Sequence, residues 1–98
     1  MINATRPYAL LTGASSGIGF QYARVLAEKG YNLLIVSDEE EAIVEKGECL
    51  RKAFPVDVIA LMRGLGQPQS AKELFDYCQM QNIEVEVLVN NARVYCQS

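Results

Sequence analysis

Four short apolar runs, at residues 8–12, 32–37, 56–62 and 85–90, alternate with longer segments whose apolar residues recur at helical spacing. That alternation constrains the fold more than any other feature, because parallel strands need a crossover of a dozen or more residues between them and a helix supplies it. The pattern predicts an α/β chain in which four strands enclose three helices. The first intervening segment carries Ile18, Tyr22, Val25 and Leu26 as its apolar stripe and stops near Gly30. The second opens in the acidic run 38–41, which suits the positive end of a helix dipole, repeats Ile43, Gly47, Leu50 and Phe54, and is closed by Pro55. The third starts after Gly66, with either Pro68 in the first helical position or Ser70 and Glu73 as a capping box. Its stripe is Ala71, Leu74, Phe75 and Cys78, and Asn82 marks its end.

With 98 residues and no repeat, low-complexity tract or linker, residues 1–98 are expected to form a single domain. There is no His, which removes imidazole-based triads and the commonest zinc ligand. A net charge of −3 with five Arg and four Lys scattered along the chain argues against nucleic acid or an anionic membrane as partner. Cys49, Cys78 and Cys96 are odd in number and far apart, so they read as reduced thiols, with Cys49 and Cys78 as small core residues and no activating base nearby. Glu84 and Glu86 alternate with Val85 and Val87, which is strand patterning and not a catalytic carboxylate pair. No apolar stretch approaches the length of a secretory core or a membrane span, and the expected location is the cytoplasm.

The strongest chemical signal is Thr12-Gly13-Ala14-Ser15-Ser16-Gly17-Ile18-Gly19, placed between the first strand and the first helix. A glycine-rich turn that opens a helix presents free backbone N–H groups and a positive dipole end to an anion. Gly13 would permit the tight turn off the strand, Gly17 would let the backbone approach a pyrophosphate, and Gly19 would let the helix lie close to the sheet. An ordinary Gly/Ser turn is the alternative, and the βα setting favours dinucleotide binding.

This octapeptide, together with Val87-Leu88-Val89-Asn90-Asn91-Ala92, resembles the short-chain dehydrogenase/reductase family, whose TGxxxGxG loop binds the cofactor and whose NNAG ends the fourth strand. The resemblance runs through nearly the whole chain. It implies a Rossmann-like NAD(P)-binding half domain with three layers and a four-stranded parallel sheet of order 3-2-1-4. It also implies that Gly13, Ser15, Ser16, Ile18 and Gly19 surround the ribose and phosphates, and that Asn90, Asn91 and Ala92 lie near the adenosine ribose.

Asp38, nineteen positions after Gly19, is the candidate acid for a ribose 2′-hydroxyl. In many family members the NAD-selecting acid aligns with Ser37, while position 38 holds an Arg that welcomes NADP. Neither Ser37 nor Asp38 is basic and Glu39, Glu40 and Glu41 follow, so NAD is preferred over NADP. Asp38 as a cap of the second helix is an equal alternative, and the two roles can coexist.

Three departures from the family pattern stand out. No Tyr is followed four residues later by Lys, so the catalytic Tyr-x-x-x-Lys of the family is missing and the chain is expected to be inactive alone. Arg63-Gly64-Leu65 replaces an acid and a small aliphatic residue near the adenine, leaving the Leu65 backbone to serve there. Arg93 stands where the family has Gly, and would crowd the nicotinamide side of the cleft or swing out of it. Right-handed crossovers put the first two helices on one face of the sheet and the third on the other, leaving that face half bare and the fourth strand at an edge. Homo-oligomerisation through that edge or face is the expected consequence. A non-catalytic module acting through self-association or a partner protein is the second functional class.

Overall fold

The computed structural model describes residues 7–14, 17–63 and 68–90, without the side chains of residues 68–71 and 90. The elements run β1 (Tyr8–Thr12), α1 (Gly17–Glu28), β2 (Asn32–Ser37), α2 (Glu40–Ala53), β3 (Val58–Met62), α3 (Pro68–Met80) and β4 (Val85–Asn90). All pairings are parallel and the strand order is β3-β2-β1-β4, the expected 3-2-1-4. Central strands of a parallel sheet are covered on both faces, which is why every residue of β2 is buried.

The two faces carry separate apolar clusters. Ala9, Leu11, Leu33, Ile35 and Val58 pack with Ala23 and Ala27 of α1 and with Ile43 and Leu50 of α2. Leu34 and Val36 pack with Leu74 and Cys78 of α3 on the opposite face, as right-handed crossovers require. Gly47 shows how closely α2 lies on the sheet: a Cβ there would come within 3.3 Å of the Ala60 Cβ. Residues of α2 spaced three or four apart thus seal the sheet, and its stripe is the expected one.

The stripe on α1 differs from expectation. Its buried residues are Gly19, Ala23 and Ala27, whereas Ile18 is 66% exposed and Tyr22 and Val25 are also exposed, with only Leu26 half-buried. Small residues let the helix backbone approach the strands, and the larger apolar side chains one position away are then turned outward. On α3, Phe75 is likewise 62% exposed while Leu74 and Cys78 are buried. Cys49 is exposed on α2, so it is not a core residue. Burial pushes the Cys78 thiol up, which keeps it protonated and inert.

The strand β3 begins at Val58, later than the apolar run suggests, because Val56 is buried within the bend after α2. The ladder starts instead where Leu33 donates to the Asp57 carbonyl at 2.8 Å. In β4 the register shifts opposite Tyr8 and Ala9, so that Val87 and Val89 join the α1–α2 cluster. Leu88 stays 64% exposed beside the single-helix face.

The helix ends follow local rules. Gly30, at φ 97°, closes α1 with Gly30 N–H donating to Ala27 and Tyr31 N–H to Leu26, a Schellman arrangement. Asn82, at φ 59°, closes α3 in the same way, with its N–H on Gln79 and that of Ile83 on Cys78. Pro68 opens α3, which places Ser70 inside the first turn and not at the cap. No helix of the described residues is long and apolar enough to cross a membrane.

Candidate functional site

Each helix begins, and each of β1, β2 and β3 ends, at the carboxyl edge of the sheet, which is where open α/β sheets take ligands. β1 ends at the buried Thr12, and Gly13 turns at φ 68°, a left-handed conformation that side chains other than Gly rarely adopt. The N–H groups of Gly13 and Ala14 both donate to the Val36 carbonyl, at 2.9 and 3.3 Å, so the loop folds across the end of β2. Ser15 and Ser16 lie outside the described residues.

Gly17 opens α1. It is helical and exposed, and a Cβ there would meet no atom within 4 Å among the described residues. Neither backbone conformation nor described packing therefore requires glycine at 17, in contrast to Gly19, which is buried against the sheet. The first turn of α1 contains no acidic residue, so the positive end of its dipole is not offset by its own side chains. Ile18 is exposed beside it.

At the end of β2, Ser37 is buried and its Oγ accepts the Glu39 N–H at 3.0 Å, which bends the chain into α2. The N-cap of α2 is Glu39, without a side-chain cap bond, so Asp38 does not cap the helix. Asp38 is exposed, and no hydrogen bond or ion pair engages its carboxylate among the described residues. Arg63 follows β3. Its N–H donates to the Ser37 carbonyl at 2.9 Å and its guanidinium to the Met62 carbonyl at 2.9 Å. Asn90 ends β4 in register with Thr12. Leu65, Asn91 and Ala92, like Gly64, Arg93 and Cys96, lie outside the described residues.

The structure thus brings Gly13, Gly17, Ile18, Gly19, Ser37, Asp38 and Asn90 to one edge. Arg63 stands at the end of β3 as Asp38 does at the end of β2.

Residues 7–98 match the family described as short chain dehydrogenase. The chain belongs to the short-chain dehydrogenase family. It is 32% identical over 97 residues to (+)-neomenthol dehydrogenase of Arabidopsis thaliana, an alignment covering 96% of this chain and 33% of that protein. A short-chain dehydrogenase of Sphingobium yanoikuyae, solved in complex with NADPH, superimposes with a TM-score of 0.77 at 32% identity, covering 88% of this chain and 34% of that one. A short-chain dehydrogenase/reductase of Burkholderia phymatum in complex with NAD gives a TM-score of 0.77 at 26% identity, over 90% of this chain and 31% of that one. The chain spans about a third of the length of these relatives. Among the described residues of this short-chain dehydrogenase chain, the carboxyl edge thus combines open space at Gly17, a helix start without an acid and an Asp38 carboxylate that no hydrogen bond engages.

Proposed function

We propose that residues 1–98 form one dinucleotide-binding unit of an oxidoreductase, taking NAD(H) in preference to NADP(H) at the carboxyl edge of the sheet. The observation that carries this reading is Gly17, a glycine that neither conformation nor described packing demands and over which no described residue lies within 4 Å of an added Cβ. Gly13, Ser15, Ser16, Gly17, Ile18 and Gly19 would line the phosphates and adjoining ribose, Leu65 the adenine, and Asn90, Asn91 and Ala92 the adenosine side of the cleft. Asp38 would accept the ribose 2′-hydroxyl, and with Glu39, Glu40 and Glu41 it would repel a 2′-phosphate. Ser37 would act indirectly, since its hydroxyl shapes the bend that carries Asp38.

A bound nicotinamide supplies hydride transfer. The chain itself contains no Tyr-x-x-x-Lys, so on this reading it binds cofactor without reducing a carbonyl alone. Titration calorimetry with NAD+, NADH and NADPH tests the proposal. Binding of all three, weakest for NADPH, is expected; neither heat nor a thermal shift at millimolar ligand overturns it.

A second reading, a module acting through self-association, is favoured by the exposed Leu88 on the edge strand β4 and by the outward Phe75, Ile18, Tyr22 and Val25 on the helices. It predicts a dimer by light scattering, and a strictly monomeric sample at micromolar concentration contradicts it. The same proposal places the protein in the cytoplasm, with no nucleic acid or membrane partner.

A further inference from the structure

β3 is an outer strand of the sheet, and its composition invites another strand to pair with it. Val58, Ile59, Ala60, Leu61 and Met62 are all apolar, with no charge, Pro or Gly to discourage addition along the open flank. The hydrogen bonds to β2 fix which backbone groups face that flank. Leu33 N–H donates to the Asp57 carbonyl and Arg63 N–H to the Ser37 carbonyl, so Asp57, Ile59, Leu61 and Arg63 bond toward β2. Successive residues of a strand bond to opposite sides, and Val58, Ala60 and Met62 therefore turn their backbone groups outward.

Arginines take two of these three outward carbonyls. Arg51, in the last turn of α2, places Nε and a second guanidinium nitrogen on the Val58 carbonyl at 3.0 and 2.7 Å. Arg63, just past the strand, places a guanidinium nitrogen on the Met62 carbonyl at 2.9 Å. The two contacts stand at opposite ends of β3, so only the Ala60 carbonyl is left open among the described residues. Neither guanidinium joins an ion pair among the described residues, so charge pairing does not account for where they lie.

We propose that Arg51 and Arg63 guard the open flank of β3, keeping a second copy of this chain from adding a strand there. Strand addition needs a row of free carbonyls and N–H groups. An incoming strand would have to displace both guanidiniums and desolvate their charges against an apolar strand, which is costly. The inference does not depend on cofactor binding, and it excludes β3 from any interface through which copies of the chain associate.

Light scattering of the whole chain over a range of micromolar concentrations tests the proposal, with the double variant Arg51→Met, Arg63→Met beside the unsubstituted protein. Met keeps a long side chain and a good helix former while removing the donors and the charge. The double variant is expected to reach at least about twice the mass of the unsubstituted protein at the same concentration. Equal masses at every concentration overturn the proposal. So does a lowered melting temperature without a gain in mass, which would leave the arginines as ties between α2 and the sheet. Amide exchange of the unsubstituted chain carries the test should the double variant fail to fold. Ala60 and Met62 N–H are expected to exchange freely at every concentration, while those of Ile59 and Leu61 are protected. Protection at Ala60 that grows with protein concentration would show β3 pairing in spite of the arginines, and would overturn the proposal.

Discussion

The two edges of the sheet are built from the same chain and finished in opposite ways. At the amino edge the chain satisfies itself. Tyr8 N–H donates to the Glu84 carbonyl and Asn32 N–H to that of Pro7, while the Asn32 Oδ1 accepts the Asp57 N–H at 3.0 Å. Arg51 places Nε and a second guanidinium nitrogen on the Val58 carbonyl of the outer strand, and two helices end in Schellman turns. At the carboxyl edge, and among the described residues, α2 starts without a side-chain cap bond, α1 starts without an acid, a Cβ at Gly17 would meet no atom within 4 Å, and no hydrogen bond engages the Asp38 carboxylate. Polar groups that a fold leaves uncommitted at one edge, while committing them at the other, mark the edge that meets a ligand.

If the division is real, substitutions at the two edges separate binding from stability. The largest effect is expected from Gly17→Asp, which puts a side chain and a negative charge where a pyrophosphate would lie. NAD+ affinity should fall by more than about a hundredfold, while the melting temperature holds or rises because an acid at a helix start is favourable. A loss of fold would break the comparison. Next, Asn32→Ala removes a buried side chain and leaves the Asp57 N–H without the acceptor of a part-buried hydrogen bond. It should cost about 1–3 kcal/mol in urea unfolding and leave NAD+ affinity unchanged. Gly30→Ala forces a side chain into φ 97° and should cost about 1 kcal/mol, again without a change in binding.

The smallest effect concerns Tyr8, whose phenol is held above its ordinary value of 10.0 by burial first and then by the charges of Asp57 and Tyr77. A folded group that holds its proton more tightly contributes stability that is fully present below the unfolded value. That contribution is lost as pH rises through the folded value. Unfolding followed from about pH 10 upward should therefore decline more steeply for the native chain than for Tyr8→Phe, and parallel curves would remove Tyr8 from the account.

Strands and topology were legible because parallel β2 is apolar throughout and because crossover handedness leaves one arrangement for three helices. The stripe of α2 was legible too, since its large residues and its close contact at Gly47 share one face. On α1 those signals conflict. Ile18, Tyr22 and Val25 look like a core stripe by hydropathy, but Gly19, Ala23 and Ala27 permit the closer approach and win the sheet. Phe75 and Cys49 sit beside buried positions, at the margin of an apolar arc that periodicity alone does not resolve. At the carboxyl edge, spacing alone was enough to place Gly13 after β1 and Asp38 after β2. The commitment of Ser37 to Glu39 and the placement of Arg63 against β2 depend on tertiary hydrogen bonds that no local pattern encodes.

Amide chemical shifts of the isotope-labelled chain, followed during titration with NAD+, test the division of the edges most directly. The account predicts shifts concentrated at Gly13, Gly17, Gly19, Asp38, Arg63 and Asn90, with Asn32, Lys52, Asp57 and Ile83 unmoved. Shifts at the amino edge, or none at either edge with millimolar ligand, would contradict it.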